Sequence, residues 1–310
     1  MNTSITRRGA VIAAAIALAL LFPASRASAE PLAQPNQPEG VPPAALSVYK
    51  TRARVDWRER VFKLDVELDL AAAGLRMPEG RLDAERMLER DIGGLEKDAV
   101  FAIQADSHRT IGDAVEDGSI EADRLVELVG VIRTETSSFS KDMRFFRSTY
   151  ALSLDSLASL FLSGGRPTPV RAPLEEREGR TYSGIVVYAK GSLPVHGEGV
   201  EDKAKPCLFP RIYDSDMNLI LDKGIVAPEV LAEAGPSGGV LGYASGLGVE
   251  AGSRVGGDPL RVMAKELFGD DRTDYIISRE DALRILSGES NRELLRQGKV
   301  VVVLDLGLQH

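Results

Sequence analysis

Apolar and charged residues alternate strictly along the chain from Phe62 to Leu70. Successive side chains of a β-strand point to opposite faces, so a period of two predicts a strand with one buried and one charged face. A second run with strand character, around Ala53, Val55 and Trp57, precedes it, and the polar sequence Arg58-Glu59-Arg60 lies between the two. The pattern therefore predicts a β-hairpin that turns at these three polar residues.

A helical period follows from Arg81 to Ile103, where apolar residues recur mainly every three or four positions. This spacing predicts a single buried face on a long helix. The predicted face consists of Leu82, Leu88, Ile92, Leu95 and Ala99. Gly93-Gly94 lies in the middle and costs about 1 kcal/mol per glycine relative to alanine. Close packing against the sheet and a break into two helices both explain the pair.

The rest of the first half contains two short helices and two strands. Thr110–Asp113 has the pattern of a helix cap, and a second helix begins at Ser119 and contains Leu125. Strands are predicted near 131–139 and 144–154, joined by the polar turn Ser140-Lys141-Asp142. Two glycines and three prolines between Ser163 and Pro173 then indicate a linker.

The second half is predicted to contain further strands, short capped helices and a long glycine-rich loop. The strands are 184–189, 208–213, 219–221, 260–267, 274–277 and 300–304, with a short one near 240–244. Nine glycines between Gly235 and Gly257 predict mostly loop. Ser278–Asp281 and Ser290–Glu293 have the spacing of helix caps.

These elements predict an α+β protein with two small domains, each a mainly antiparallel sheet with helices packed on one face. The predicted divisions are a signal peptide at 1–29, a proline-rich tether at 30–46, a first α+β domain at 47–162, a linker at 163–181 and a second α+β domain at 182–310.

The first 29 residues have the pattern of a secretory signal peptide. Arg7 and Arg8 precede an apolar run from Ala10 to Phe22, and Ala27-Ser28-Ala29 supplies the small residues of a cleavage site. A retained membrane anchor is the alternative, but a spanning helix needs about 20 apolar residues. We therefore expect cleavage near Ala29-Glu30 and a periplasmic or extracellular mature protein.

The formal net charge of the chain is −8, and removal of the arginine-bearing signal makes the mature chain more acidic. An acidic chain without a basic cluster is a poor partner for nucleic acid or anionic lipid. After Phe22, no apolar segment approaches spanning length, so no transmembrane segment is expected in the mature chain. Cys207 is the only cysteine, which excludes an intrachain disulfide. We expect it to be a buried apolar residue, with a reactive thiol as the alternative.

Two motifs match catalytic or nucleotide-binding patterns in letters but not in context. Gly235–Gly239 reads G-x-S-x-G, but a nucleophile elbow needs a strand before the serine and a helix after it. Gly246–Ala251 reads G-x-G-x-x-A, and the residues that follow it are not expected to form the helix that faces a dinucleotide. We therefore expect neither site.

The candidate metal ligands are equally unconvincing. Asp214–Asn218 copies the first half of a calcium loop, but the sixth position is Leu219 instead of glycine. A hairpin turn explains these acidic residues better. The three histidines, His108, His196 and His310, have no zinc-ligand spacing. No pair of carboxylates is marked out for acid–base chemistry.

The first half resembles a known family in the order of its elements. A strand hairpin and a long helix are followed by Ile103–Asp106, Thr110–Asp113 and Asp117–Ala122, and then by strands. This order resembles the small domain of LPP-type lipoproteins and of FlgP and FlgT-like flagellar envelope proteins. Tyr182–Ala189, Pro206–Asp214 and Asp274–Ala282 with the valine-rich closing strand look like a companion region of longer relatives. The resemblance implies an envelope component, in some members at the flagellar base, with no catalytic residues. This chain lacks the lipid-bearing cysteine of the lipoproteins.

The sequence therefore predicts a non-enzymatic exported envelope protein that acts as an assembly or scaffold component. A flagellar structure is one place where such a component would act. Other envelope proteins, or further copies of the chain, are the expected partners. We expect no catalytic residue, no cofactor and no metal. The alternatives are a periplasmic hydrolase with an unrecognised carboxylate site and a small-ligand binding module.

Overall fold

The computed structural model describes residues 48–307 apart from 77, 131, 163–167, 173–178 and 247, and only the backbone of 249 and 250. The predicted signal peptide, the tether, most of the linker and His310 lie outside the described residues.

An antiparallel four-stranded sheet forms the first half, with the order β1-β2-β4-β3. Its strands are β1 (Tyr49–Asp56), β2 (Val61–Asp69), β3 (Arg133–Phe139) and β4 (Phe145–Ser153). The predicted hairpin is confirmed, because β1 pairs with β2 from Tyr49 opposite Leu68 to Asp56 opposite Val61. The predicted alternation is also confirmed, since every second residue of β2 is buried.

Helices cover the apolar face of this sheet. They are α1 (Arg81–Phe101), α2 (Ile111–Glu116), α3 (Ala122–Val129) and α4 (Leu154–Ser159). The cap predicted at Thr110 is confirmed: its hydroxyl accepts a hydrogen bond from the Asp113 amide, and the Asp113 carboxylate accepts one from the Thr110 amide. Helix α3 begins at Ala122 instead of Ser119, with Glu121 as its N-cap.

Helix α1 continues without a break through Gly93-Gly94, so the alternative of two helices is wrong. Close packing does not explain Gly93 either, because this residue is exposed and a Cβ atom there would have no neighbour within 4 Å. The predicted apolar face is wrong at Leu82, whose side chain is 60% exposed. The buried face instead includes Asp91 and Glu96.

A seven-stranded sheet forms the second half, with the order β10-β13-β5-β11-β12-β8-β9. Its strands are β5 (Ile185–Tyr188), β8 (Ile212–Asp214), β9 (Leu219–Leu221), β10 (Gly242–Ala244), β11 (Leu260–Phe268), β12 (Asp274–Ile277) and β13 (Val300–Val303), and a separate two-stranded ribbon contains β6 (Ser192–Pro194) and β7 (Glu201–Lys203). The helices are α5 (Pro228–Leu231), α6 (Val249–Val255), α7 (Arg279–Leu286) and α8 (Glu289–Arg296).

The α+β class is confirmed, but the second sheet differs from the predicted mainly antiparallel one. Four of its pairings are parallel: β10 with β13, β13 with β5, β5 with β11, and β12 with β8. Parallel strands that are buried on both faces read as continuous apolar runs. Strand β13, Val300–Val303, is such an apolar run, and all four of its residues are buried.

Helices also lie on both faces of the second sheet. Along β5 and along β13, successive residues alternate between two different apolar clusters, one on each face of the sheet. One cluster contains Val186 and Val301 with Ala251 and Val255 of α6. The other contains residues of α7 and α8 and continues into the core of the first sheet. The two halves therefore share one apolar core.

The caps at the end of the chain were predicted in part. Ser278 caps α7 as predicted, since its hydroxyl accepts a hydrogen bond from the Asp281 amide. The cap predicted at Ser290 is wrong, because α8 begins at Glu289 with Gly288 as its N-cap.

Candidate functional site

Among the described residues, several polar and aromatic contacts lie where the two halves meet. We call this region the domain seam. It has two parts: the β1–β2 turn, Trp57–Arg60, and the loop Gln104–His108, both packed against the second half. Each part combines hydrogen bonds with buried apolar or charged side chains.

Trp57 carries the apolar part of the turn contact. Its side chain is 5% exposed, and its ring meets the ring of Tyr243 edge to face with centroids 6.0 Å apart. Such aromatic pairs stabilise by about 0.5–1.5 kcal/mol beyond the burial of their area. The Tyr243 hydroxyl in turn accepts from the Cys207 amide and donates to the Cys207 carbonyl, both at 3.0 Å. The turn is thereby connected to the interior of the second half.

Arg60 carries the charged part of the turn contact. Its Nε donates to Oδ1 of Asp155 at 2.5 Å, and the two residues are only 2% and 5% exposed. The second Asp155 oxygen accepts from the Gly235 amide at 2.8 Å. Gly239 adopts φ +75°, and a Cβ atom there would lie 2.6 Å from the Arg60 guanidinium. A glycine loop of the second half thus covers this buried ion pair of the first half.

A second, partly buried arginine fixes the conformation of that glycine loop. Arg254 of α6 donates from Nη1 to the carbonyls of Pro236 and Gly238, from Nη2 to Gly239 and from Nε to Gly298, at 2.6–3.0 Å. Burial lowers the pKa of Arg254 to about 10, so the guanidinium remains charged at neutral pH. The loop that receives Arg60 is therefore fixed by charge-assisted hydrogen bonds.

The loop Gln104–His108 forms the other part of the seam. The Leu208 and Phe209 amides donate to the carbonyls of Gln104 and Ala105 at 3.1 and 2.9 Å. The Gln104 side-chain amide donates to Oδ2 of Asp271 at 2.7 Å. Main-chain and side-chain hydrogen bonds thus join the two halves at a point distant in sequence from the turn.

Two neighbouring clefts open beside Trp57. One has a volume of about 490 Å³ and is lined by Arg54, Val55, Asp56, Trp57, Arg58, Lys63, Ser245, Leu306 and Gly307. The other, of about 320 Å³, shares three of these residues, and its further lining includes Gln104, Lys205 and Asp271. Both volumes fall near or within the range of small-molecule sites.

A third cleft, of about 740 Å³, lies along β3 and β4 and is lined by Glu135 and Asp155 among others. Both carboxylates are already paired: Glu135 with Lys63 at 2.8 Å and Asp155 with Arg60. Both carboxylates of this cleft are thus engaged by cations of the protein itself.

The carboxyl groups with raised pKa values lie elsewhere. Burial raises the pKa of Glu96 to about 8 and that of Asp274 to about 6, and both side chains are fully buried. Neither residue lines any of these three clefts, and they belong to different halves. Among the described residues, the two carboxyl groups with raised pKa values therefore do not share a cleft.

The structure shows where each motif residue lies. Ser237 lies in a single 3-10 turn, Gly235–Ser237, without the strand and helix of a nucleophile elbow. Asp214 is in the predicted hairpin turn, where its Oδ1 accepts from the amides of Asp216 and Asn218. Within the described part of the chain, no group of three or more histidine, cysteine or acidic side chains is placed to hold a metal ion.

The two described histidines each meet one acid and lie in separate places. His108 contacts Asp270 at 2.9 Å, and His196 contacts Glu266 at 2.5 Å. Cys207 is fully buried, as expected, and burial raises the pKa of its thiol.

One expectation about a motif is wrong. A helix, α6, begins at Val249 inside the G-x-G-x-x-A sequence, and strand β10 precedes it. The helix has only seven residues and ends at Gly256. Glycine and serine disfavour helix in isolation, and the burial of Ala251 and Val255 against the sheet overrides that preference.

The residues of the domain seam were not identified from the sequence as a site. Arg60 and Asp155 are 95 positions apart, and Gln104 and Asp271 are 167 apart. The usable signals were the single tryptophan beside an arginine-rich turn and the paired glycines at 238–239.

Fold and seam together define a protein of two joined α+β domains, one with an antiparallel sheet and one with a mixed sheet. Residues 48–160 match the family model of the N-terminal domain of Treponema pallidum Tp0624, and residues 184–306 match that of the second domain of Tp0624. The chain is thus similar to two domains of one protein, in the same order. Comparison with curated proteins gave no match. Neither matched model is of the LPP, FlgP or FlgT type, so that resemblance stays a prediction. Among the described residues, no helix combines the length and the apolar character needed to cross a membrane.

Proposed function

We propose that this protein is an exported, non-enzymatic component of a bacterial cell envelope that binds other envelope proteins as part of an assembly. The observation that carries the proposal is the domain seam. An edge-to-face aromatic pair, main-chain hydrogen bonds and the bond from the Gly235 amide to Asp155 of the buried ion pair fix the two domains to each other. Domains joined in this way present their outer surfaces at a constant spacing, which suits a scaffold.

The exposed edge of the first sheet is a suitable surface for a partner protein. Strand β3 is one of the two edge strands of this sheet, and six of its seven residues are exposed. Edge strands offer unpaired main-chain groups to which a strand of another protein can add. The resemblance to flagellar envelope proteins makes the flagellar base a specific place to look for that partner.

The hydrolase alternative has less support. The two carboxyl groups with raised pKa values are fully enclosed, and the cleft carboxylates Glu135 and Asp155 are engaged in ion pairs. A small-ligand function is favoured by one specific observation, the cleft of about 490 Å³ beside Trp57.

The test is affinity purification of the exported chain from the envelope of its own source, with mass and stoichiometry measured by light scattering. We expect a complex with other envelope proteins at fixed stoichiometry. Thr136→Lys on β3 should weaken the complex, because a lysine on an edge strand opposes strand addition. Ala72→Lys, in the exposed turn after β2, is the matched control and should have no effect.

Three results would decide against parts of this proposal. A monomer without any stoichiometric partner would overturn it. A complex that contains only this chain would replace the envelope partner with self-assembly. Equal binding by the Thr136→Lys and Ala72→Lys variants would exclude the β3 edge as the binding surface.

A further inference from the structure

The cleft of about 490 Å³ lies beyond one edge of the second sheet. Strands β5, β10 and β13 are parallel to one another, so their carboxyl ends meet at the same edge. Ser245 directly follows β10, and Leu306 and Gly307 follow β13 closely; all three line the cleft. In sheets with parallel strands, ligands bind in crevices outside the carboxyl ends of the strands.

The opposite wall of this cleft comes from the first domain and is basic. Arg54, Arg58 and Lys63 line it, and Asp56 is the only acidic residue among the lining residues. The whole chain has a formal net charge of −8, so this wall has the opposite sign to the protein. Clefts lined by charges of one sign concentrate ligands of the other sign.

Arg58 lies 4.0 Å from Asp56 of the same wall. The other two cations are available to a ligand at low cost. Arg54 pairs with Asp65, and the Lys63 ammonium pairs with Glu135 at 2.8 Å. Neither acid lines the cleft. These pairs are partly exposed, with side chains 28–38% accessible, and ion pairs of this kind contribute little stability. An anion in the cleft can therefore compete for the same cations.

The sheet side of the cleft is already fixed in position. The ammonium of Lys190, which follows β5, donates to the Ser245 carbonyl at 3.0 Å and lies 3.5 Å from Asp305. The other Asp305 oxygen accepts from the Gly191 amide at 2.9 Å. The segments after β5, β10 and β13 are thus joined to one another, and a ligand would meet a formed surface.

We propose that this cleft binds a small anionic molecule, whose carboxylate or phosphate group is held by Arg54, Arg58 and Lys63 while its less polar part lies against Trp57 and Leu306. The site is independent of the scaffold function proposed above. It would make the protein a receptor for an anionic metabolite or cell-wall fragment as well as an assembly component.

Trp57 makes the proposal directly testable, because it is the only tryptophan of the chain and lines the cleft. Its fluorescence is recorded while the purified full-length protein is titrated with citrate, glucose 6-phosphate and uncharged glucose. We expect a saturable change with at least one of the two anions and none with glucose. Citrate alone would indicate a carboxylate ligand, and glucose 6-phosphate alone a phosphate ligand. Added salt should weaken the binding.

Matched double variants locate the effect. Arg54→Gln with Lys63→Gln removes two charges from the cleft wall and should weaken binding at least about tenfold. Lys141→Gln with Arg144→Gln removes two exposed charges from the β3–β4 turn of the same domain and should leave the affinity unchanged. No saturable response to either anion up to about 10 mM would overturn the proposal, as would equal binding by the two variants.

Discussion

Glu96 lies on the inner face of α1 with its side chain fully enclosed, and neither carboxyl oxygen has a hydrogen-bond partner among the described residues. Burial raises its pKa from 4.5 to about 8. The folded protein therefore binds this proton more tightly than the unfolded chain does. The stabilising effect of the proton is complete below about pH 4.5 and is lost as the pH rises through 8.

Replacement of Glu96 by methionine should remove this loss of stability at high pH, because methionine does not titrate. We expect the wild-type protein to lose roughly 4 kcal/mol more stability than Glu96→Met between pH 5 and pH 9. Urea unfolding at pH 5, 7 and 9 measures the difference. Glu89→Met, at an exposed position of the same helix, is the control and should keep the wild-type pH dependence. An unchanged pH dependence in Glu96→Met would show that the enclosed carboxyl does not titrate in this range.

Arg60 and Asp155 form an ion pair of the kind that is costly to break. Removal of one partner leaves an uncompensated buried charge, which costs about 3–5 kcal/mol. We expect Arg60→Met to lose stability in that range by urea unfolding at pH 7. Arg147→Met breaks the exposed pair with Glu67 and should cost less than about 1 kcal/mol. Similar losses in the two variants would mean that the buried pair contributes no more than a surface pair.

At the scale of the elements, Gly93 is a defect in an otherwise regular helix. It is exposed, and an added Cβ atom would touch nothing within 4 Å. We expect Gly93→Ala to stabilise the protein by about 0.5–1 kcal/mol, seen as a higher midpoint of thermal unfolding. Gly184→Ala is the opposite case, because its Cβ atom would lie 2.5 Å from the Val255 Cα atom, and it should destabilise. A lower midpoint for Gly93→Ala would point to a packing role that the fold does not reveal.

The elements also show how much of the fold could be predicted from the sequence. The hairpin, the long helix and the buried valine strand were predictable, because their hydrophobic period or apolar run is strong over four or more residues. Helix α6 was not, since its glycines and serine disfavour helix and only its packing against the sheet compensates. The start of α8 was misplaced for a similar reason. The Asn291 side chain accepts from the Tyr182 amide and donates to the Arg180 carbonyl, so distant contacts fix this helix.

The candidate site was the least predictable part of the molecule. The cleft joins Arg54 and Lys63 of one domain to Ser245 and Leu306 of the other, and no local pattern connects such distant positions. The parallel arrangement of β5, β10 and β13, which brings their ends together, was itself missed. The calcium-loop hypothesis could be judged from the sequence alone, because Leu219 stands where the loop needs glycine. Rejection of the G-x-G-x-x-A motif relied on the absence of a helix that the structure contains.

For the molecule as a whole, the domain seam has one main consequence: the two domains should behave as a single body. The apolar core continues from the first sheet to the second. Polar contacts join the domains at two places far apart in sequence, the bond from the Gly235 amide to Asp155 beside Arg60 and the bond from Gln104 to Asp271. The proposed scaffold function depends on this joint behaviour, because domains that moved independently could not hold partners at a fixed spacing.

The most direct measurement is urea unfolding of the full-length protein followed at the same time by Trp57 fluorescence and by far-ultraviolet circular dichroism. Trp57 reports on the seam, because its ring contacts Tyr243 of the other domain, whereas the dichroism reports on the helices and strands of both domains. If the domains form one cooperative unit, the two signals will change together with a single midpoint. A change in Trp57 fluorescence at a clearly lower urea concentration, with the dichroism still native, would show that the domains separate before they unfold and would contradict the rigid seam.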